Sequence, residues 1–282
     1  MDMDTQIDNA AIELQKADAL LITAGAGIGV DSGLPDFRGN TGFWKAYPPM
    51  ARLGISFHEM ANPRWFDQDP TLAWGFYGHR LNLYRSTEPN AAFYQLKEIA
   101  EKKPAGYFIF TSNVDGQFQK AGFADDRIEE CHGSIYHLQC VSNCNDTIWR
   151  ADGINVTVDE NSFRAIPPLP SCRTCAGLAR PNVLMFGDWT WLAYRAEIQA
   201  DSFRAWLRQV AKSNARIVVI EIGAGESVPT VRRRSETIVA NFNARLIRIN
   251  PRDYDAPRDS ISIPCGAAEG MEKIYQQLQH MG

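Results

Sequence analysis

No stretch of 18 consecutive apolar residues occurs in this 282-residue chain, so no segment has the character of a membrane-spanning helix. The first residues, MDMDTQID, are acidic and lack the apolar core of a secretory signal; a cytoplasmic protein is expected. Excess positive charge is missing as well. Lys and Arg number 29 against 33 Asp and Glu, a net charge of -4, which argues against a general nucleic-acid-binding surface. There is no internal repeat and no low-complexity tract. Cysteine is sparse, six in all, and a reducing compartment argues against a disulfide framework. The remaining composition, 45% hydrophobic and 22% charged, is that of a globular protein. The length suits one large domain, or a large domain carrying a smaller one.

The chain is organised around residues 19 to 39, ALLITAGAGIGVDSGLPDFRG. Ala19 to Thr23 is a short apolar run. It breaks into Gly25, Gly27 and Gly29 and closes with Pro35, Asp36, Phe37, Arg38 and Gly39. An apolar run followed by a glycine turn reads as a buried parallel strand feeding a ligand loop. Gly25 and Gly27 fit a dinucleotide fingerprint, but its third glycine falls on Val30. The glycines alone leave nucleotide binding level with an ordinary tight turn.

Periodicity predicts helices over 7–17, 71–85, 90–103 and 194–213, after Pro229, and at the C-terminus. Residues 40–70, rich in aromatics, Pro and Gly, read as a long ordered loop with little regular structure. His79 reads as a packed or surface histidine. Ile198, Trp206, Leu207 and Val210 are expected to face inward, and Arg232-Arg233-Arg234 to form a solvated face. Apolar strands at 107–111, 183–186, 216–222 and 245–249 alternate with these helices, which implies a parallel sheet covered on both faces. Glycines and polar residues recur where four strands end: Gly25/Gly27, Asn113/Asp115, Gly223/Gly225 and Asn250. Ligands of open α/β sheets bind at strand carboxyl ends, so four such exits point at one crevice.

Composition shifts between Cys140 and Cys175. Cys140-x3-Cys144 and Cys172-x2-Cys175 bracket a proline-rich insert. Four thiolates so spaced suit a tetrahedral structural zinc site; the alternative is four ordinary thiols. His132 lies between the Asn113/Asp115 exit and this insert, where its ordinary pKa of about 6.5 would make it a usable base. Cys131 beside it reads as a packed thiol.

The stretch Gly25 to Gly39, together with the Glu130-Cys131-His132-Gly133 motif and the four cysteines, closely resembles the sirtuins, the NAD-dependent protein deacylases. The resemblance runs from about residue 10 to 280. It implies a Rossmann-like, doubly wound α/β domain over 1–133 and 178–282. A helical and loop cofactor segment would occupy about 28–85, and a small zinc-ribbon module would be inserted at 134–177. It further implies NAD as a consumed co-substrate, structural zinc on Cys140, Cys144, Cys172 and Cys175, and an acyl-lysine protein or peptide as partner. His132 would be the general base, with Asn113 beside the nicotinamide ribose and catalytic water, and Asp115 holding the nicotinamide amide. Gly25, Ala26, Gly27, Asp36, Phe37, Arg38, Val114, Gly223, Ala224, Gly225, Asn250 and Gly266 would line the cofactor. Val183, Phe186 and Gly187 would border the acyl-lysine. The chain departs from the family pattern at Gly29, Ser112, Gln117, Phe118, Asp188 and Ala224 to Glu226. Those departures keep an NAD-consuming ADP-ribosyltransferase or hydrolase, and a non-catalytic NAD or ADP-ribose sensor, as alternatives. A hydride-transfer dehydrogenase is the generic reading of the glycine loop.

Overall fold

The computed structural model describes residues 2–36, 39–242 and 244–281. Helix α1 (Met3–Lys16) starts at Asp2, whose carboxylate accepts from the Thr5 amide at 2.9 Å. Strand β1 (Ala19–Ala24) follows, buried on both faces, and runs into a 3-10 segment at Ala26–Ser32.

Residues 40–70 are not the loop that their composition suggests. They fold as four short helices, α2 (Gly39–Ala46), α3 (Pro48–Arg52), α4 (Phe57–Met60) and α5 (Trp65–Gln68). Pro48 and Pro49 open α3, where a missing N–H costs nothing. Ser56 and Glu59 cap α4 reciprocally. Helices α6 (Pro70–Ser86) and α7 (Ala91–Glu101) then follow the apolar periodicity.

Beyond them come β2 (Tyr107–Thr111), the single turn α8 (Gln117–Lys120), β3 (Ile128–Glu130) and β4 (Gly133–Cys140). Two-residue strands β5 (Trp149–Arg150), β6 (Val158–Asp159) and β7 (Arg164–Ala165) precede β8 (Ala179–Val183). The last third holds α9 (Tyr194–Lys212), β9 (Ile217–Ile222), α10 (Thr230–Phe242), β10 (Arg245–Ile249), β11 (Ile261–Ile263) and α11 (Ala267–Met281).

Six strands form one parallel sheet in the order β11-β10-β9-β1-β2-β3. This is the doubly wound dinucleotide-binding order, which reverses direction beside β1. Alternation along β1 sends Leu20, Ile22 and Ala24 to one face and Ala19 and Leu21 to the other. α1, α7 and α11 cover the first face, α9 and α10 the second.

A separate core belongs to the antiparallel sheet β5-β4-β8. Phe43, Tyr47, Phe66, Trp74 and Phe76 of α2 to α6 pack into this core with Leu138, Cys140 and Ala179. The segment 39–86 therefore buries its aromatics against the insert rather than against the six-stranded sheet. His79 is packed there, between the rings of Tyr47 and Phe163, with centroids at 5.3 and 5.5 Å.

Three further expectations fail. The strand expected at 183–186 lies instead at Ala179–Val183, and it pairs antiparallel with β4 rather than joining the parallel sheet. Ile198 is 63% exposed although Phe203, Trp206, Leu207 and Val210 of the same helix are buried. In the arginine run, only Arg233 is exposed. Arg232 is buried and donates to the backbone carbonyls of Asp253 and Asp255, at 2.6 and 2.8 Å. Arg234 lies over the Phe110 ring at 4.6 Å.

The buried pair Arg248–Glu221, 2.6 Å apart, joins β10 to β9 at facing register positions.

Candidate active site

A cavity of about 940 Å³ opens where the strand exits of the six-stranded sheet meet the smaller core. Ala26 contributes from the β1 exit, Ser112 to Asp115 from β2, Gly225 to Val228 from β9, and Arg252 and Asp253 from β10. His132 and residues 183–189 close it from the β4 and β8 side. Its volume is within the usual span of small-molecule sites.

The glycines do not all face this space. A Cβ on Gly25 would lie 2.7 Å from the Gly223 carbonyl oxygen, and one on Gly27 would lie 2.6 Å from the Gly223 Cα. The Gly27 amide donates to the Gly223 carbonyl at 3.0 Å. These glycines let two strand exits touch, backbone on backbone, beneath the cavity. Gly223 itself has φ +65°, and a Cβ there would sit 2.4 Å from Gly27 C. Gly223→Ala is therefore expected to cost on the order of 2–4 kcal/mol and to weaken NAD binding. Urea unfolding paired with an NAD titration checks both effects.

Other expected site residues also lie below the surface. Asn250 is fully buried; its amide donates to the Ala224 carbonyl at 2.8 Å, and its side-chain oxygen accepts from the Arg252 and Asp253 amides. Gly266 lies against Asp31, whose carboxylate accepts from the Ala268 amide at 2.7 Å. Gly25, Gly27, Gly223, Ala224 and Asn250 thus shape the floor, while Ala26, Asp36, Val114 and Gly225 line the cavity and Gly266, half-buried, is not part of its lining. Asp36 also accepts from Arg252 at 2.9 Å, an ion pair between the loop after β1 and the β10 exit. Phe37 and Arg38 lie outside the described residues.

Asn113 is held on two sides. Its backbone amide donates to Thr111 Oγ1 at 3.0 Å, and its side-chain amide donates to the Gly25 carbonyl at 3.1 Å. Asp115 is 7% exposed and accepts from the Gln117 amide at 3.0 Å. Burial pushes its pKa up to about 6, with repulsion from Glu130 adding to the rise and the Gln117 amide opposing it. His132 is pushed below its ordinary value by burial, against the opposing effect of the Ser112 backbone carbonyl. Its imidazole is neutral at pH 7, the form a base requires. Burial drives Cys131 up to about 12, so that thiol stays protonated beside it.

For Asp115 the stability linkage has an unusual sign. The folded form holds a proton between pH 3.8 and about 6 that the unfolded form releases, so stability falls as pH rises through that window. Asp115→Asn keeps the acceptor oxygen and removes the charge. The variant is expected to gain on the order of 3 kcal/mol at pH 8 while its KM for NAD rises. Urea midpoints at pH 4 and pH 8 check this: the gain is confined to the higher pH.

The loop after β8 forms the opposite wall. The Asp188 side chain is buried and pairs with Arg180 at 2.6 Å, and it accepts from the Thr190 amide at 3.1 Å. Phe186 is fixed by Asn62, whose side-chain amide donates to its carbonyl at 2.9 Å, and by the His58 ring at 4.1 Å. Val183, Phe186 and Gly187 all line the cavity.

Sequence reasoning overlooked Tyr77, Arg80, Tyr84 and His58, which also line it. Arg80 is 6% exposed, donates to the Tyr84 hydroxyl at 2.9 Å, and has the Phe76, Tyr77 and Tyr84 rings within 6 Å. An arginine on the otherwise apolar stripe Leu72, Phe76, Leu83 was the available signal. Departures at Gln117 and Phe118 lose their weight, because neither lines the cavity. Phe118 packs between Phe93 and Phe123 in the main core, and Gln117 is fully buried.

At the far end of β4 and β8 the four cysteines converge. Their sulfur atoms all lie within 4.8 Å of one another, Cys140 to Cys175 at 3.7 Å and Cys144 to Cys172 at 3.6 Å. Thiolates at about 2.3 Å from a tetrahedral zinc stand about 3.8 Å apart, so the donor set fits. Those distances also exclude disulfides.

The family model for the Sir2 family matches residues 25–219. The chain belongs to the Sir2 family. Its Sir2 relatives include NAD-dependent protein deacylase 2 of Pyrobaculum aerophilum, 29% identical over 272 residues, with 96% of this chain and 95% of that protein covered. NAD-dependent protein deacylase of Leptospira interrogans is 30% identical over 240 residues, covering 85% of this chain and 82% of the relative. Among solved structures, a Sir2 homologue in complex with NAD superposes with a TM-score of 0.70 at 26% identity, covering 97% of this chain and 94% of that one. A mutant Sir2 homologue bound to ADP-ribose gives 0.71 at 26% identity over 100% and 98%. The Sir2 zinc ribbon accounts for the four cysteines. Among the described residues no helix is long and apolar enough to cross a membrane.

Proposed function

We propose that this Sir2 chain removes acyl groups from lysine side chains of proteins, consuming NAD and releasing nicotinamide, O-acyl-ADP-ribose and free lysine. The observation that carries this reading is the convergence of His132, Asn113 and Asp115 on one cavity at the switch point of a doubly wound sheet. Neutral His132 takes a proton from a ribose hydroxyl once nicotinamide has left. Asn113, fixed by Thr111 and Gly25, orients the ribose and water, and Asp115 receives the nicotinamide amide. Val183, Phe186 and Gly187 hold the acyl-lysine on the opposite wall. Positioning and electrostatic preorganisation supply most of the rate.

Zinc bound by Cys140, Cys144, Cys172 and Cys175 pins the small module and has no part in the chemistry. We assign 1–133 and 178–282 to the NAD-binding domain and 134–177 to the zinc module, with α2 to α6 packed on the module's core. A four-thiolate zinc site suits a reducing, cytoplasmic setting.

Mass spectrometry of products with NAD, with and without an acetyl-lysine peptide, tests the activity. Peptide-dependent nicotinamide with O-acetyl-ADP-ribose is the expected result. Nicotinamide release that ignores the peptide would overturn it in favour of NAD hydrolysis or ADP-ribosyl transfer. That second reading has a structural basis in Glu226, which places a carboxylate on the cavity wall.

A further inference from the structure

A second cleft, of about 610 Å³, adjoins the first. The two share the turn after β2 and the start of β4: Asp115 and His132 line the main cavity, Gly116 and Ser134 the second cleft. Four cationic side chains line this second cleft, each from a different element: Arg85 of α6, Lys120 of α8, Arg150 of β5 and Arg195 of α9. One carboxylate, the exposed Asp125, accompanies them. The carboxylates that pair with three of them, Glu130, Asp152 and Glu88, lie outside the cleft's lining.

The pairing inside the cleft is incomplete. Arg195 uses one guanidinium nitrogen on Glu130, and its Nη1 is buried without a hydrogen-bond partner. His137 Nδ1 is buried in the same condition. Arg85 spends its guanidinium hydrogen bonds on the carbonyls of Ile154 and Ala151, and shares the exposed carboxylate of Asp152 with Arg150 only through space. The partners of Arg150 and Lys120 are Asp152 and Glu88, 66% and 74% exposed, so solvent screens both pairs. The field is felt by His137: burial, then Arg195 and Arg150, push it down to about 4.

We propose that this cleft binds a small phosphate-bearing anion. Positive charge converging from four elements, with the unpartnered Arg195 Nη1 as a donor, matches the charge and oxygens of a phosphate group. A buried donor lacking an acceptor is a cost that such a ligand removes. The volume exceeds what one phosphate fills and suits a ligand with a further group, for which the Tyr136 ring offers a flat wall.

Calorimetric titration of the zinc-loaded protein, with ADP-ribose saturating the main cavity, tests the assignment. Inorganic phosphate, inorganic pyrophosphate and adenosine monophosphate are the probes, and their order of affinity reports whether an organic group contributes. One probe per chain is expected to bind, with affinity that falls as salt rises. The double variant Lys120→Gln/Arg150→Gln, which frees the exposed carboxylates of Glu88 and Asp152 and the Arg85 and Thr87 carbonyls at the end of α6, is expected to weaken binding about tenfold or more while leaving the urea midpoint near wild type. Arg195→Gln is expected to do the same, and the double variant keeps the test sound should the loss of Glu130's partner unfold the protein. Binding that the double variant leaves unchanged would overturn the proposal. So would no binding of any of the three probes at low millimolar concentration.

Discussion

His132→Ala is expected to lower acyl transfer by about 10²–10⁴-fold while NAD still binds. The imidazole lines the cavity, and its backbone carbonyl, not its ring, accepts from the Leu184 amide at 2.9 Å. Truncation therefore leaves the β4–β8 junction intact. Because burial holds the imidazole below its ordinary value, wild-type activity is expected to be level at neutral pH. It should fall only as pH drops through a value under 6.5. Asp115, at about 6, also titrates on the acid side of neutrality, so the acid limb is read in both variants. Single-turnover rates separate them: the variant loses the step after nicotinamide departs, whereas Asp115→Asn loses affinity for NAD. Turnover equal to wild type in His132→Ala would remove that residue from the mechanism.

The second large effect is expected from Cys172→Ser. Loss of one thiolate leaves three ligands for a site that fixes both ends of the insert, since Cys140 ends β4 and Cys172 and Cys175 precede β8. A loss on the order of 4 kcal/mol is expected, which lowers Tm by about 10 °C in a domain of this size. Zinc content should fall from one per chain to none. Activity should fall with it, although the site is on the order of 20 Å along β4 from His132. β4 and β8 carry both ends: Gly133 pairs with Val183 at the cavity, and Cys140 with Ala179 beside the cysteines. A purified protein without zinc, or a variant that melts with wild type, would refute the structural role.

Much of this was legible because it depends on local chemistry. Runs such as Ile217 to Ile222 announce buried strands, and cysteine spacing announces a ribbon. The convergence of four strand exits followed from fold logic alone. What stayed hidden depends on packing between distant segments. Residues 40–70 read as loop because Pro and Gly usually break helices, yet Pro48, Pro49 and Pro70 open them. Gly25 and Gly27 read equally as a nucleotide loop or a tight turn, and nothing in the local sequence told of the close approach to Gly223, nearly 200 positions away. Arg232 and Arg234 read as solvated because a charge run carries no record of Phe110 or of the carbonyls that receive it.

The sheet order also bears on how the protein is born. β1 emerges from the ribosome early, but one of its neighbours, β9, ends only at Ile222. Until then the apolar edge of β1 has no permanent cover on that side. The smaller core is split in the same way, because α6 must wait for β8, nearly a hundred residues later, before Trp74 can donate to the Ala179 carbonyl. Neither core can close co-translationally on its own sequence. Folding is thus deferred until most of the chain has been made, with the slow, long-range closure that such separations impose. Nascent chains stalled before Ile222 would be expected to expose strand edges and to depend on chaperones.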